Sequence, residues 1–197
     1  MRARPAACTA AYPAVHCANH ACGFTLPEVL VALFVVALGV AGAAGVQAMA
    51  VRAAGEAARL SEGMQLAASL AQRMRANPLA MALPDGANPY LQFDAVAGPG
   101  AAPPVPVPAS CYGAANCNPE QLAGFDLGET AAALAGRFPG GHMRVCRDAQ
   151  EPDAAGLLAW PCSGDAAAPV VIKLGWRGRP GAPDAPAVLL TLGSGTP

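Results

Sequence analysis

Charge is in short supply in this chain. Asp, Glu, Lys and Arg make up 13% of its 197 residues, about half the usual share. The formal net charge is -1, so no global basic field draws it to nucleic acid. Histidine is scarcer still: beyond His16 and His20 near the amino terminus, only His142 remains. There is no Gly-x-Ser-x-Gly elbow, phosphate-binding glycine loop or His-Glu-x-x-His helix, which removes the motif-borne routes to acyl transfer, nucleotide binding and zinc hydrolysis. Internal repeats are lacking too. Glu151 and Asp153 fall in a loop-like acidic stretch and read as water-facing, not as a catalytic dyad. No catalytic residue, metal or cofactor is expected.

Part of the charge deficit is local. Val29 to Val46 contains no polar side chain at all. As a helix, this run rises roughly 27 Å at about 1.5 Å per residue. With Phe24 to Leu26 before it and Ala48 to Val51 after it, it is long enough for a hydrocarbon core of about 30 Å. A buried core helix is the competing reading, but such helices keep a polar face over this length. A cleaved secretory signal is another, and it asks for a basic flank directly ahead of a shorter apolar core. Here the flank is "HACGFTLPE", which carries an acid, and the upstream basic residues are the distant Arg2 and Arg4. A retained anchor fits better. Gly39, Gly42 and Gly45 lie three apart inside it, and small residues let helices approach closely.

Glu28 stands at the mouth of this run. A cut between Gly23 and Phe24 creates an amine about one helical turn from that carboxylate. In a bundle, the amine of one subunit can then pair with the Glu28 of its neighbour. Such pairing is strong at low dielectric and offsets the cost of burying either charge alone. An acid within a membrane segment reads first as functional; the alternative is a Glu that snorkels to the headgroups. "GFTLPEVLVAL", Gly23 to Leu33, resembles the class III signal of type IV pilins and pseudopilins. The resemblance implies cleavage after Gly23 by a prepilin peptidase, N-methylation of Phe24, and docking of each subunit through Glu28. Pro27 suits the first turn of a helix.

The helix is expected to continue beyond the membrane. Ala57, Leu60, Met64, Ala67, Leu70, Ala71 and Met74 recur at helical spacing. Arg52, Glu56, Arg59, Glu62, Gln65, Gln72, Arg73 and Arg75 lie opposite and read as a solvated face. Gly55 and Gly63 weaken the helix by about 1 kcal/mol each relative to Ala, and Asn77-Pro78 ends it. "LAQRMRANP", Leu70 to Pro78, is similar to the "DRMRANP" stretch of the PilV group of minor type IV pilins, with Gln72 where Asp is common. "DLGETAAALAGRFPGG" resembles a further stretch of that group, without its Trp.

Pro84 to Ser110 is crowded with Pro and Gly and reads as a long surface connection. A short helix is expected over Asp126 to Phe138, with Asp126 as its cap, Glu129 completing a capping box, and Pro139-Gly140-Gly141 as its stop. Strands are expected at His142 to Arg147, Val170 to Trp176 and Ala187 to Leu192. Trp160 and Trp176 read as core or sheet residues. The expected fold is α+β. A long amino-terminal helix, part membrane and part soluble, packs on a small antiparallel sheet, which is also the pilin-like architecture the resemblance implies. The expected organisation is a leader at 1–23, an assembly helix at 24–51, its soluble continuation at 52–78, a loop at 79–110 and a globular region at 111–197.

Removing that leader takes Cys8, Cys17 and Cys22 with it and leaves Cys111, Cys117, Cys146 and Cys162. The leader's Cys and His residues have no paired CxxC spacing, and read as part of a discarded segment rather than a zinc site. The remaining four should pair in an oxidising periplasm. Three connectivities are possible; Cys111–Cys117 with Cys146–Cys162 is favoured, because each bridge closes a local loop. A bridge across a 15-residue loop contributes about 3 kcal/mol. By resemblance the chain is a minor pilin in the inner membrane and the assembled pilus, with its globular region in the periplasm. Its implied partners are the prepilin peptidase, the major and other minor pilins, the inner-membrane assembly platform and lipid, with no nucleic acid. A type II secretion pseudopilin shares the same signal. A membrane-anchored periplasmic binding module or enzyme is the reading from another class.

Overall fold

The computed structural model describes residues 23–98, 111–113, 116–178 and 184–193. The leader's Cys8, His16, Cys17, His20 and Cys22, and residues 99–110 of the Pro/Gly-rich stretch, lie outside these. The chain divides into two units, Met1–Ala50 and Val51–Pro197.

Helix α1 runs from Leu26 to Ala76, 51 residues. Its first turn closes on Thr25, whose carbonyl accepts from Glu28 N at 3.0 Å and Val29 N at 3.2 Å. From Leu26 to Glu62 every residue is exposed. Burial starts at Gly63 and continues through Leu66, Ala67, Leu70, Ala71 and Met74. The apolar stripe therefore differs at its upper end from the one expected: Ala57, Leu60 and Met64 are exposed, while Gly63 and Leu66 face the core. The reason lies at Gly63. A Cβ there would sit 2.9 Å from the Trp176 ring and 3.2 Å from Leu174 Cδ2. This glycine is kept for close approach, and the helix weakening it brings is the lesser effect.

Helix α2 (Pro78–Met81) restarts directly after Asn77, which caps it. Residues 79–98, expected as open connection, are more ordered than their composition suggests. Asn88-Pro89 opens a 3-10 turn over Pro89–Gln92, and strand β1 follows at Asp94–Val96. Tyr90 and Phe93 are wholly buried, and these two aromatics tie the segment to the core. Helix α3 spans Pro119–Arg137, seven residues earlier in its start than Asp126. Its cap is Asn118, whose side chain accepts from Gln121 N at 2.8 Å while Gln121 Oε1 accepts from Asn118 N at 3.0 Å. With Pro119 in the first turn, this capping box outranks the one read at Asp126. Asp126 is instead mid-helix and buried.

Strands β2 (His142–Arg147), β3 (Val170–Gly175) and β4 (Val188–Thr191) complete an antiparallel sheet of order β1-β2-β3-β4. The short β1 is the strand that alternation alone does not reveal. Met143 pairs with Leu174 and Val145 with Ile172. These four join Leu66, Leu70 and Met74 of α1 and Leu127 and Leu134 of α3 in one core. The fold is thus α+β, a long amino-terminal helix with a small antiparallel sheet.

β3 is buried on both faces. On the face away from the core residues, Lys173 is 1% exposed. Its Nζ donates to Ala159 O at 2.7 Å and Pro161 O at 2.9 Å, and lies 2.5 Å from Asp148 Oδ2. The other oxygen of Asp148 accepts from Ser163 N and Gln150 N. The β2–β3 connection is therefore folded over the sheet and held there by a buried ion pair. A disulfide between Cys146 and Cys162 closes the same segment, and a second joins Cys111 to Cys117.

Burial works to raise the Asp148 pKa, but Lys173 and the Ser163 and Gln150 amides outweigh it and hold the carboxyl below its ordinary value. A carboxyl depressed on folding adds stability that is full above its unfolded pKa, about 3.9, and is lost as pH falls through the folded one. Asp148→Asn leaves Lys173 buried without a counter-charge, a loss of about 3–5 kcal/mol at neutral pH. The variant should also show a shallower fall in Tm on acidification. Parallel Tm–pH curves for the two proteins below about pH 4 would contradict this assignment. Gly63→Leu drives a side chain into Trp176 and should cost about 1–3 kcal/mol. Gly63→Ala should cost less, because helix propensity returns about 1 kcal/mol. Denaturant unfolding of the detergent-extracted chain measures both.

Candidate functional site

The first candidate is the head of α1. Gly23, Phe24 and Thr25 precede the helix, Pro27 sits in its first turn and Glu28 follows. Phe24 is 82% exposed, and Leu26, Leu30, Leu33 and Phe34 beyond it are exposed as well. Glu28 is the acid of the first turn, where the partial positive charge of the helix terminus favours a carboxylate. α1 is the one helix among the described residues long and apolar enough to cross a membrane, with a mean hydropathy of 2.6 over its apolar window. That suits membrane anchoring.

The second candidate is where α1 ends. Arg73 Nη1 donates to Asp126 Oδ1 and to Glu129 Oε2, each at 2.8 Å. Tyr90 OH donates to the other Asp126 oxygen at 2.9 Å. Asn77 Nδ2 donates to Tyr90 OH at 3.3 Å and to Pro119 O at 2.7 Å. The Tyr112 hydroxyl donates to Glu129 Oε1, and its ring meets Phe125 edge-on at 4.9 Å. One connected network thus joins α1, the 3-10 turn, α3 and the Cys111–Cys117 loop. Burial pushes the Tyr90 pKa well up, its bond to Asp126 pushes the same way, and Asn77 opposes. Tyr90 accordingly stays a neutral donor. Among the described residues no buried polar side-chain atom lacks a partner, and no group of three or more His, Cys, Asp or Glu is placed to hold a metal.

This network corrects one reading of the sequence. Arg73 does not lie on an idle solvated face; it reaches two carboxylates on α3. Asp126 and Glu129 stand one helical turn apart, on the same side of α3. That spacing, together with the two arginines of "QRMRANP", was the available signal. Tyr90 left no signal of its own. Asn77 does stop α1, and it also bonds across to the start of α3.

With the geometry in view, comparison with known families is informative. The model of the prokaryotic N-terminal methylation motif matches residues 18–44. A model described as type IV pilin Tt1218 matches residues 45–128. No curated protein and no solved structure matches the chain. The two matches support a type IV pilin. The first covers Gly23, Phe24 and Glu28. The second takes in Arg73, Asn77, Tyr90, Tyr112 and Asp126 of the network and stops one residue short of Glu129. The family is one of structural subunits rather than enzymes, and its amino-terminal motif implies processing by a prepilin peptidase and assembly with other pilins.

Removing one member of the network should be felt by the rest. Tyr90→Phe strips a donor from Asp126 and a partner from Asn77, and should cost about 1–3 kcal/mol. Asp126→Ala combined with Tyr90→Phe should cost less than the sum of the two, since the second change removes a bond already lost. Denaturant titration of the four proteins in one cycle measures the coupling. Strict additivity would show that the contacts act separately.

Proposed function

We propose that this chain is a minor type IV pilin of the PilV kind, a subunit that helps prime pilus assembly and modulates adhesion and twitching. The observation that carries the reading is the head of α1. A Gly-Phe junction, an acid in the first helical turn and an unbroken apolar run follow one another there, within the methylation-motif match. Cleavage between Gly23 and Phe24 frees an amine, methylation keeps it basic, and Glu28 of a neighbouring subunit receives it. The "RMRANP" stretch favours the PilV kind over a major pilin. Two disulfides beyond the anchor suit an oxidising periplasm for the globular part. Its partners are then the prepilin peptidase, the major and other minor pilins, the inner-membrane platform and lipid.

Mass spectrometry of the membrane-extracted protein tests the processing step first. A chain beginning at N-methylated Phe24 is expected; one that keeps residues before Gly23 would remove the assembly role and favour an anchored binding module. Glu28→Ala should be cleaved and remain in the membrane yet fail to enter pili. A deletion strain should lose surface pili. Intact pili with a secretion defect would instead assign the chain to a type II secretion pseudopilus.

A further inference from the structure

Helices α1 and α3 run antiparallel where they meet: Asn77 bonds to Pro119, while Arg73, one turn earlier on α1, reaches Asp126 and Glu129 further along α3. Beyond those ion pairs the contact opens. Ser69 and Ala133 line it from the two helices, both too small to close the space, and Gln65 and Arg137 line it as well. A groove of about 410 Å³ is left, with Leu66 and Thr130 as its buried residues. This groove is rich in donors and poor in acceptors. Arg73 uses Nη1 for both of its carboxylates and keeps 37% of its side chain exposed. Both Glu129 oxygens are engaged, one by Arg73 and one by Tyr112. Arg137 is exposed and has no ion-pair partner among the described residues.

The far side of the sheet carries a matching shape. The β2–β3 connection lies over the face turned away from the core, and Glu151 to Leu157 are exposed throughout. Asp153 builds a turn there. Its N–H donates to Leu157 O at 2.9 Å, and its carbonyl accepts from Gly156 N at 2.8 Å. Its side-chain Oδ1 accepts from Ala155 N at 2.9 Å and Leu157 N at 2.8 Å. Gly156 supplies the positive φ of 76° that the turn requires. The foot of the turn is fixed by the Cys146–Cys162 bridge and by Lys173, which holds Ala159 O and Pro161 O. An acid, Glu151, and an apolar side chain, Leu157, are thus presented on a loop that is already shaped.

We propose that the α1–α3 groove receives the Glu151–Leu157 turn of a second copy of this chain. Leu157 fills the space over Ser69 and Ala133, and Glu151 meets Arg137. The charges are complementary, and a loop shaped in advance loses little freedom on docking. Its own groove is out of reach, because the sheet stands between the turn and the helices. The contact is therefore head-to-tail between copies, and a contact of that kind repeats into rings or open helical arrays. It rests on the pilin reading for its setting, a helical array of subunits. One exposed ion pair and one apolar side chain make a weak contact alone. Anchors in a shared membrane raise the effective concentration at which it operates.

Photo-cross-linking in cells that express the full chain reads this contact. With p-benzoylphenylalanine in place of the exposed Ala154, a dimer-sized product is expected, linked to residues 65–73 or 129–137. Ser69→Trp fills the groove and should abolish the product. Arg137→Glu should lower its yield about 3- to 10-fold, and so should Glu151→Arg. The two changes together should restore it, which damage to the fold could not do; all three positions are exposed. Absence of the dimer, a dimer linked elsewhere, a link to a different protein, or a double variant whose yield stays low overturns the contact. Mass spectrometry of the amino terminus in the same samples separates this contact from the pilin reading. A chain processed to Phe24 that gives no dimer removes the contact and leaves that reading intact. A dimer formed by an unprocessed chain does the reverse.

Discussion

Asp126 is a carboxylate nearly cut off from water, and the globular half of this protein is arranged around keeping it satisfied. One oxygen takes the guanidinium of Arg73 from α1, and the other takes the hydroxyl of Tyr90 from the 3-10 turn. A buried charge left alone costs several kcal/mol, so each partner must arrive in register for the others to be worth having. That requirement fixes how far α3 can slide along α1, since Arg73 must reach Asp126 and Glu129 together. It fixes where α1 stops as well, because Asn77 has to turn back to Tyr90 and Pro119. The apolar core supplies most of the driving force here, but apolar contacts tolerate slippage. The polar network supplies the register.

The same chemistry recurs at the element boundaries. Asn77-Pro78, Asn88-Pro89 and Asn118-Pro119 each open a helical segment. In each pair, the Asn side chain accepts a bond from a backbone amide that the new turn leaves free. The Pro brings its fixed φ to a position where its missing N–H is not needed. At each of the three starts the Asn side chain thus satisfies one amide of the opening turn. Tyr90 and Phe93, set by the second of these starts, are wholly buried, and α3 is bonded to the end of α1 through Arg73 and Asn77.

Much of this was legible in the residues, and the failures have physical causes. β2, most of β3 and β4 announced themselves through alternation and flanking turn residues. The apolar run and the Gly-Phe-Thr-Leu-Pro-Glu head were plain because both are read from contiguous residues and need no tertiary contact to be seen. β1 was hidden, because three residues give alternation no room to show. α3 was entered too late because Asp126 and Glu129 have the spacing of a capping box, and only tertiary contact shows that they answer to Arg73. Arg73 itself resembled its solvated neighbours Gln72 and Arg75. Lys173 gave no sign of its burial, because the Asp148 it pairs with arrives from a connection with no periodic signal at all.

The glycines of α1 separate what the chain does by itself from what needs other molecules. Gly63 is explained from within: Trp176 and Leu174 occupy the space its side chain would take. Gly39, Gly42 and Gly45 have no neighbour within 4 Å of their Cβ positions among the described residues. Intrinsic helix propensity argues against them, at about 1 kcal/mol each relative to Ala. Lipid gives no reason for them either, since a smooth apolar helix of Ala and Leu would sit in a bilayer at least as well. Small side chains gain their advantage when a second helix closes on the first. Their regular spacing over an exposed apolar surface therefore fits the proposed helical bundle, in which the surface that α1 leaves bare is covered by the α1 helices of other subunits.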